Sequence, residues 1–214
     1  MSDQEPLYTN QPDYKGLPLL RGYAYNFNYL DRLLEVINRA LMPVNRVLAV
    51  RLDLRFPQAY WPREGEILGN DNIKRFFRGL EQRLEYHRDR APRLDKRRHP
   101  PYLQYVWARE WDQGETKPHY HIVLFVNRAA YRRLGRFSPG HHNLMTAAVE
   151  SWSAALGLDY PVPGLVHVPE NPCYVIERDS RAGIDHLLTR ASYLCKLESK
   201  RSGDGCHRFG YSRS

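Results

Sequence analysis

The chain has 214 residues, 42% of them apolar, and a formal net charge of +8. That is enough apolar material for one packed domain, and the charge favours an anionic partner, nucleic acid or an acidic surface. No stretch is long and apolar enough to span a bilayer, no charged-then-apolar leader is expected at the start, and three scattered cysteines (Cys173, Cys195, Cys206) suit reduced thiols in a cytosol better than a disulfide framework.

Residues 1–22 are polar, with scattered Pro and Gly, and read as a flexible arm ahead of a single domain over 23–214. Leu30, Leu33, Leu34, Ile37 and Leu41 share one helical face, so a helix is expected over 28–41, with Asn28 as N-cap and Pro43 as its stop. In 47–56, Leu48, Val50, Leu52, Leu54 and Phe56 alternate with Arg51, Asp53 and Arg55, which predicts a strand with a polar second face. Helical spacing returns over 71–90, followed by a basic exit that includes Arg97 and Arg98. Two strands, 102–111 and 119–127, read as an antiparallel hairpin. A helix over 141–157, a proline-broken strand around 166–176, a helix over roughly 181–200 and a short basic tail complete the chain. From the 47–56 strand the order is β, α, β, β, α, β. This predicts an α+β fold, a ferredoxin-like split βαβ antiparallel sheet with an extra N-terminal helix and an extra C-terminal helix. Its first and third strands would be central neighbours.

The third of these strands begins K-P-H-Y-H-I-V-L-F. Residues two apart in a strand point the same way, so His119 and His121 project together from one face. Imidazole pairs usually recruit a carboxylate as third metal ligand. If Glu110 lies opposite His119, then Ala108 lies opposite His121, and the glutamate joins the histidines on their face. A one-residue slip turns Glu110 away and leaves Asp53 as ligand or as support for a ligand. Two nitrogens and one oxygen with open positions suit Mg²⁺ or Mn²⁺. A strand-end glutamate is as readily a plain surface carboxylate.

In A-S-Y-L-C-K-L-E-S-K, Tyr193 and Lys196 are three apart, neighbours on one helix face, with Arg190 a turn earlier. A free phenol is only roughly 0.1% ionised at pH 7, and nearby cations raise that fraction. Most tyrosines on amphipathic helices simply pack.

Together these residues resemble the HUH endonucleases, the rolling-circle replication initiators and relaxases. The resemblance is closest to the filamentous-phage (inovirus-type) initiators, also found as prophage remnants, and it runs over about 47–213 through Y-V-W-A-R-E-W, K-P-H-Y-H-I-V-L-F, P-E-N-P-C-Y, A-S-Y-L-C-K-L-E-S-K and R-F-G-Y-S-R. It implies a divalent metal held by His119, His121 and Glu110. It implies Tyr193 as the nucleophile on its C-terminal helix and Lys196 as the cation beside it. The implied reaction nicks and rejoins single-stranded or supercoiled origin DNA through a 5′-phosphotyrosine, in the cytoplasm of a bacterial host, with a host helicase and polymerase as further partners and no membrane. Arg97, Arg98, Arg190, Lys200 and Arg201 are expected to hold the DNA backbone, and aromatics on the metal-side sheet to stack on bases. No second tyrosine lies within a turn of Tyr193, so a one-tyrosine enzyme is expected. Two other classes fit part of the pattern: a non-catalytic single-strand-binding module of the same fold, and a metal-dependent phosphodiesterase that uses water.

Overall fold

The computed structural model describes residues 8–60, 68–90, 99–111, 114, 116–200 and 203–213. They form an α+β structure with antiparallel sheets. The elements are β1 (Tyr8–Thr9), β2 (Asp13–Tyr14), β3 (Leu17–Pro18), β4 (Tyr25–Asn26), α1 (Phe27–Leu41), β5 (Arg46–Leu54), α2 (Asn70–Arg90), β6 (Gln104–Glu110), β7 (His119–Asn127) and α3 (Leu144–Ala155). Next come a 3₁₀ turn (Pro163–Leu165), β8 (Val166–His167), β9 (Cys173–Glu177), α4 (Arg181–Ala191), a second 3₁₀ turn (Ser192–Cys195) and β10 (Phe209–Tyr211).

The main sheet has six strands in the order β10-β6-β7-β5, with β8 and β9 sharing the far edge of β5. The histidine strand β7 therefore lies mid-sheet, beside β5, and its side chains are buried on both faces. Strand pleating sorts the side chains to two apolar layers. Leu48, Val50, Leu52, Leu54, Tyr120, Ile122 and Leu124 face α2 and α3, where Phe76, Leu80, Leu144 and Trp152 meet them. Val47, Ala49, Val106, Ala108, Val123 and Phe125 face α1 and α4, with Leu33, Ile37, Leu187 and Leu188. The broken edge is explained by Pro169 and Pro172, which fall between β8 and β9 and cannot donate to a ladder.

Four expectations change. The helix N-cap is Asn26, whose side chain accepts from the Tyr29 backbone N–H, and not Asn28. At the other end of α1, the Arg178 guanidinium donates to the Leu41 and Met42 carbonyls, which suits a cation to a helix C-terminus. Residues 8–22, read as a loose arm, make short β pairings and bury Leu19. The last helix ends at Ala191, and Lys196 is extended (φ −63°, ψ 152°). It ends there because the N-terminal segment binds the residues just beyond it: Tyr25 bridges Lys196, and Leu197 N–H donates to the Ala24 carbonyl. Finally, the tail contributes β10. Gly210 faces Trp107 so closely that a Cβ would sit 2.5 Å from the indole, so only glycine fits there.

Candidate metal centre

Two registers build the site. Along β6–β7, Glu110 is paired with His119 and Ala108 with His121. Along β5–β7, Asp53 is paired with His121. Paired residues share a face, so Asp53, Glu110, His119 and His121 stand together on the α1/α4 side, where the apolar layer of that face ends.

Candidate ligand atoms of Glu110, His119 and His121 all lie within 4.8 Å of one another. The two Nε2 atoms are 3.0 Å apart, and His121 Nε2 is 3.7 Å from Glu110 Oε2. An ion bound at about 2.1 Å by imidazole or carboxylate keeps adjacent donors roughly 3.0–3.4 Å apart, so the trio fits one ion with little movement. The nitrogen chemistry points the same way. His121 Nδ1–H donates to Asp53 Oδ1 at 2.6 Å, which leaves its Nε2 lone pair facing the neighbouring imidazole. Two ring nitrogens at that separation require a proton or a cation between them.

The glutamate is not isolated. Lys200 Nζ donates to Oε1 at 2.8 Å, while Ser199 Oγ and Lys196 Nζ each donate to Oε2 at 2.8 Å. Burial opposes the Glu110 charge, but Lys200, His121 and Lys196 outweigh it and hold its pKa below the ordinary value. Asp53 is lowered in the same manner: burial resists, and His121 prevails. The two lysines move in opposite directions. For Lys200 burial wins and its pKa falls. For Lys196 burial is outweighed by Glu110 and Tyr193, and its pKa rises.

Tyr193 reaches this group from the 3₁₀ turn. Its half-buried ring meets the His121 ring edge-on at 5.2 Å between centroids, and Lys196 Nζ lies 3.6 Å from its centre. Tyr23, from the N-terminal segment, packs edge-on against Tyr193 at 5.5 Å and also receives Lys196 on its face. Burial pushes the neighbouring Cys195 thiol up to about 12, so it is no competing nucleophile.

The structure thus brings together Asp53, Glu110, His119, His121, Tyr193 and Lys196. It places Lys200 differently from its expected role: its side chain is 2% exposed and committed to Glu110, so it is no surface contact for DNA. Arg190 is half-buried at the end of α4. Arg97, Arg98 and Arg201 lie outside the described residues. The most exposed tyrosines among the described residues (Tyr8, Tyr86, Tyr102, Tyr160) are not on the strands beside the histidines. Three contributors escaped the sequence reading. Tyr23 adjoins the expected arm, in a stretch without periodicity. Ser199 lies inside the stretch A-S-Y-L-C-K-L-E-S-K, but nothing in that stretch marks its hydroxyl as a partner of Glu110. His167, exposed and paired with Asp53 across β5–β8, adds a third imidazole to the same face, and only sheet register reveals it.

Beside His119 opens a pocket of about 460 Å³ lined by Arg55, Phe56, Lys117, Pro118 and Gly164. Arg55 is exposed there, and the Lys117 ammonium is fixed by the Pro57 and Gln58 carbonyls. The pocket adjoins the metal trio and is basic, which suits an anionic substrate.

The whole arrangement lies within a region shared with known proteins. The chain is 37% identical over 183 residues to the uncharacterized protein YagK of Escherichia coli (strain K12), covering 78% of this chain and 84% of YagK. It is 30% identical over 200 residues to the uncharacterized protein YfjJ of the same organism, covering 86% of this chain and 93% of YfjJ. No solved structure matches it. Residues 14–212 match the YagK/YfjJ C-terminal domain, and the chain belongs to that family.

Proposed function

We propose that this protein is a metal-dependent endonuclease and strand transferase of the HUH type, which nicks and rejoins single-stranded DNA at a replication origin through Tyr193. The observation that carries the reading is the convergence of a phenol, an ammonium and a metal-ligand trio: the Tyr193 ring contacts His121, and Lys196 lies between Tyr193 and Glu110. Support for the framework comes from strand order. Taking β5, β6, β7 and β8/β9 as strands one to four, the sheet runs 2-3-1-4, which is compatible with a ferredoxin-like split βαβ unit.

The donor set of two imidazoles and one carboxylate suits Mg²⁺ or Mn²⁺. A divalent ion there supplies Lewis-acid stabilisation of charge on the scissile phosphate. The chain's own groups do the rest. Asp53 holds His121 in the tautomer that turns Nε2 toward the trio. Lys200 anchors one oxygen of Glu110 and so aims the other at the imidazoles. Lys196 stays protonated and lowers the cost of making a phenolate at Tyr193. The phenolate attacks phosphorus in line. The tyrosyl O–P bond forms, the P–O3′ bond breaks, the phenol proton goes to solvent and the departing 3′ oxygen takes up a proton. The product is a 5′-phosphotyrosine with a free 3′-hydroxyl. The covalent link conserves the ester for rejoining, and the hydroxyl can prime a host polymerase in the bacterial cytoplasm.

Incubation of the full chain with end-labelled single-stranded DNA and Mn²⁺ tests this. The expected result is a protein–DNA band that survives denaturation and is lost in Tyr193→Phe and in chelator. Cleavage with a free 5′-phosphate and no adduct would mean a water-using phosphodiesterase. Binding without any cleavage would mean a non-catalytic module.

A further inference from the structure

The end of the sheet farthest from the metal centre carries a second concentration of charge. The connection from β7 to α3 contains Arg128, Arg132, Arg133 and Arg136, and no acidic residue from 128 to 143. None of the four has a carboxylate partner among the described residues. Several other arginines are paired. Arg83 pairs with Glu150, Arg88 with Glu85 and Asp89, and Arg46 with Glu177.

The loop is held rather than loose. Asn127 pins its start: the side-chain amide donates to the Pro100 carbonyl at 2.9 Å, and its oxygen accepts from Ala129 N–H at 2.9 Å. Tyr131 and Leu134 are buried in the core against α2 and α3, and Met145 N–H donates to the Leu134 carbonyl. With Tyr131 and Leu134 turned inward, Arg132, Arg133 and Arg136 are left at the surface. Next to them is a depression of about 780 Å³ lined by Arg46, His99, Asn127, Arg128, Arg132 and Glu177, among others. Glu177, its one carboxylate, is the partner of Arg46 at 2.9 Å. The lining includes no Tyr, Phe or Trp. A cluster of guanidinium groups on a backbone held in place, with no ring to stack on a base, suits the phosphates of a nucleic-acid backbone. The metal-side pocket sits at the other end of β7, eight residues away, or roughly 27 Å at strand rise.

We infer that this arginine loop and its depression form a second nucleic-acid site, which binds the phosphate backbone of duplex DNA without reading sequence, at the opposite end of the sheet from the metal centre. It goes beyond the nicking reading and does not need it.

Titration of the full chain into a fluorescently labelled duplex of mixed sequence, in EDTA and at several salt concentrations, tests the site. Running it without free metal separates its failure from failure of the nicking reading. The variant carrying Arg128→Ala, Arg132→Ala, Arg133→Ala and Arg136→Ala is expected to bind on the order of tenfold more weakly or worse at 0.1 M salt. Its salt dependence should be shallower by about 3–4 in log–log slope. Replacing the same four by lysine should keep most of the affinity, since phosphate contacts need charge first. Wild-type affinity and slope in the alanine variant overturn the inference. So does tighter binding of the wild type to phosphatidylglycerol vesicles than to the duplex, or equal use of these arginines by a single strand of the same length.

Discussion

The two faces of the same central strand obey different rules. On one face of β7, Tyr120, Ile122, Leu124 and Val126 run its length in an apolar layer under α2 and α3. On the other, Val123 and Phe125 begin the same kind of layer under α1 and α4, and then His121 and His119 interrupt it. The first face is held mainly by burial, worth about 25 cal/mol per Å² of apolar surface, with one buried ion pair, Arg109–Asp204, and the Tyr120 hydroxyl donating to the Gly69 carbonyl at its end. The second exchanges burial at one end for a network of charges that must all be matched, because an unpaired buried charge costs several kcal/mol. Bland packing tolerates many sequences of similar volume. A matched network tolerates few, and this separates the site from the scaffold.

The largest effect should come from removing the network's hub. Glu110→Gln leaves the Lys196 and Lys200 ammonium groups buried without their counter-charge, and a loss of about 3–5 kcal/mol in urea unfolding is expected. Trp152→Ala, in the opposite layer, should cost a similar ~3–5 kcal/mol by leaving a cavity. The two then diverge. Adding Lys196→Met and Lys200→Met should restore most of the stability lost in Glu110→Gln, whereas no change of charge should rescue Trp152→Ala.

Metal should stabilise one face only. At a hundredfold excess of Mn²⁺ over its dissociation constant, unfolding should cost about 2.7 kcal/mol more. The gain should vanish in His119→Ala/His121→Ala and persist in Leu124→Ala. Calorimetric melting with and without Mn²⁺ reads both. A smaller change is expected for Asp53→Asn, which keeps the shape but weakens control of the His121 tautomer. Mn²⁺ affinity by titration calorimetry should fall about 10- to 100-fold, with the fold intact by circular dichroism.

The smallest effect belongs to the apolar side. His87, whose Nδ1 lies 3.3 Å from the Tyr131 hydroxyl, has its pKa lowered to about 4 by burial first and by His142 and Arg83 after it. A histidine depressed on folding is protonated first in the unfolded chain. Its contribution is therefore complete above an ordinary histidine pKa of about 6.5 and is lost as pH falls from there toward about 4. His87→Gln should flatten the melting temperature across that window relative to the wild type.

Much of this was legible in the residues alone, for a definite reason. The β6–β7 hairpin is local, and its period-two pattern left two registers one residue apart, of which the structure forms the one that sets Glu110 opposite His119. Helices α1, α2 and α3 announced themselves by apolar stripes. The features that escaped were non-local. Periodicity extends the last helix through Lys196, since nothing in A-S-Y-L-C-K-L breaks it. The chain stops at Ala191 because Ala24 and Tyr25, remote in sequence, pair with the residues beyond the helix. The N-terminal segment and the tyrosine turn are two halves of one error: each looks unstructured or helical alone, and each is fixed by the other. Lys200 teaches the same lesson in charge. A lysine beside an arginine at the end of a basic run reads as surface, and only the position of Glu110 makes it interior. Strand β10 is three residues with a central glycine, too short for any periodicity and placed by the indole of Trp107.

The tyrosine turn has a consequence for the order of events at the ribosome. The hairpin bearing Glu110, His119 and His121 is complete once residue 127 has left the exit tunnel, so a nascent chain can display its imidazoles early. Tyr193 and Lys196 emerge much later and then must dock on a segment synthesised first, around Ala24 and Tyr25. A truncated translation product that stops short of that turn keeps the Glu110, His119 and His121 trio but lacks Tyr193, so under the proposed reading it could bind a metal ion and not form the covalent link to DNA.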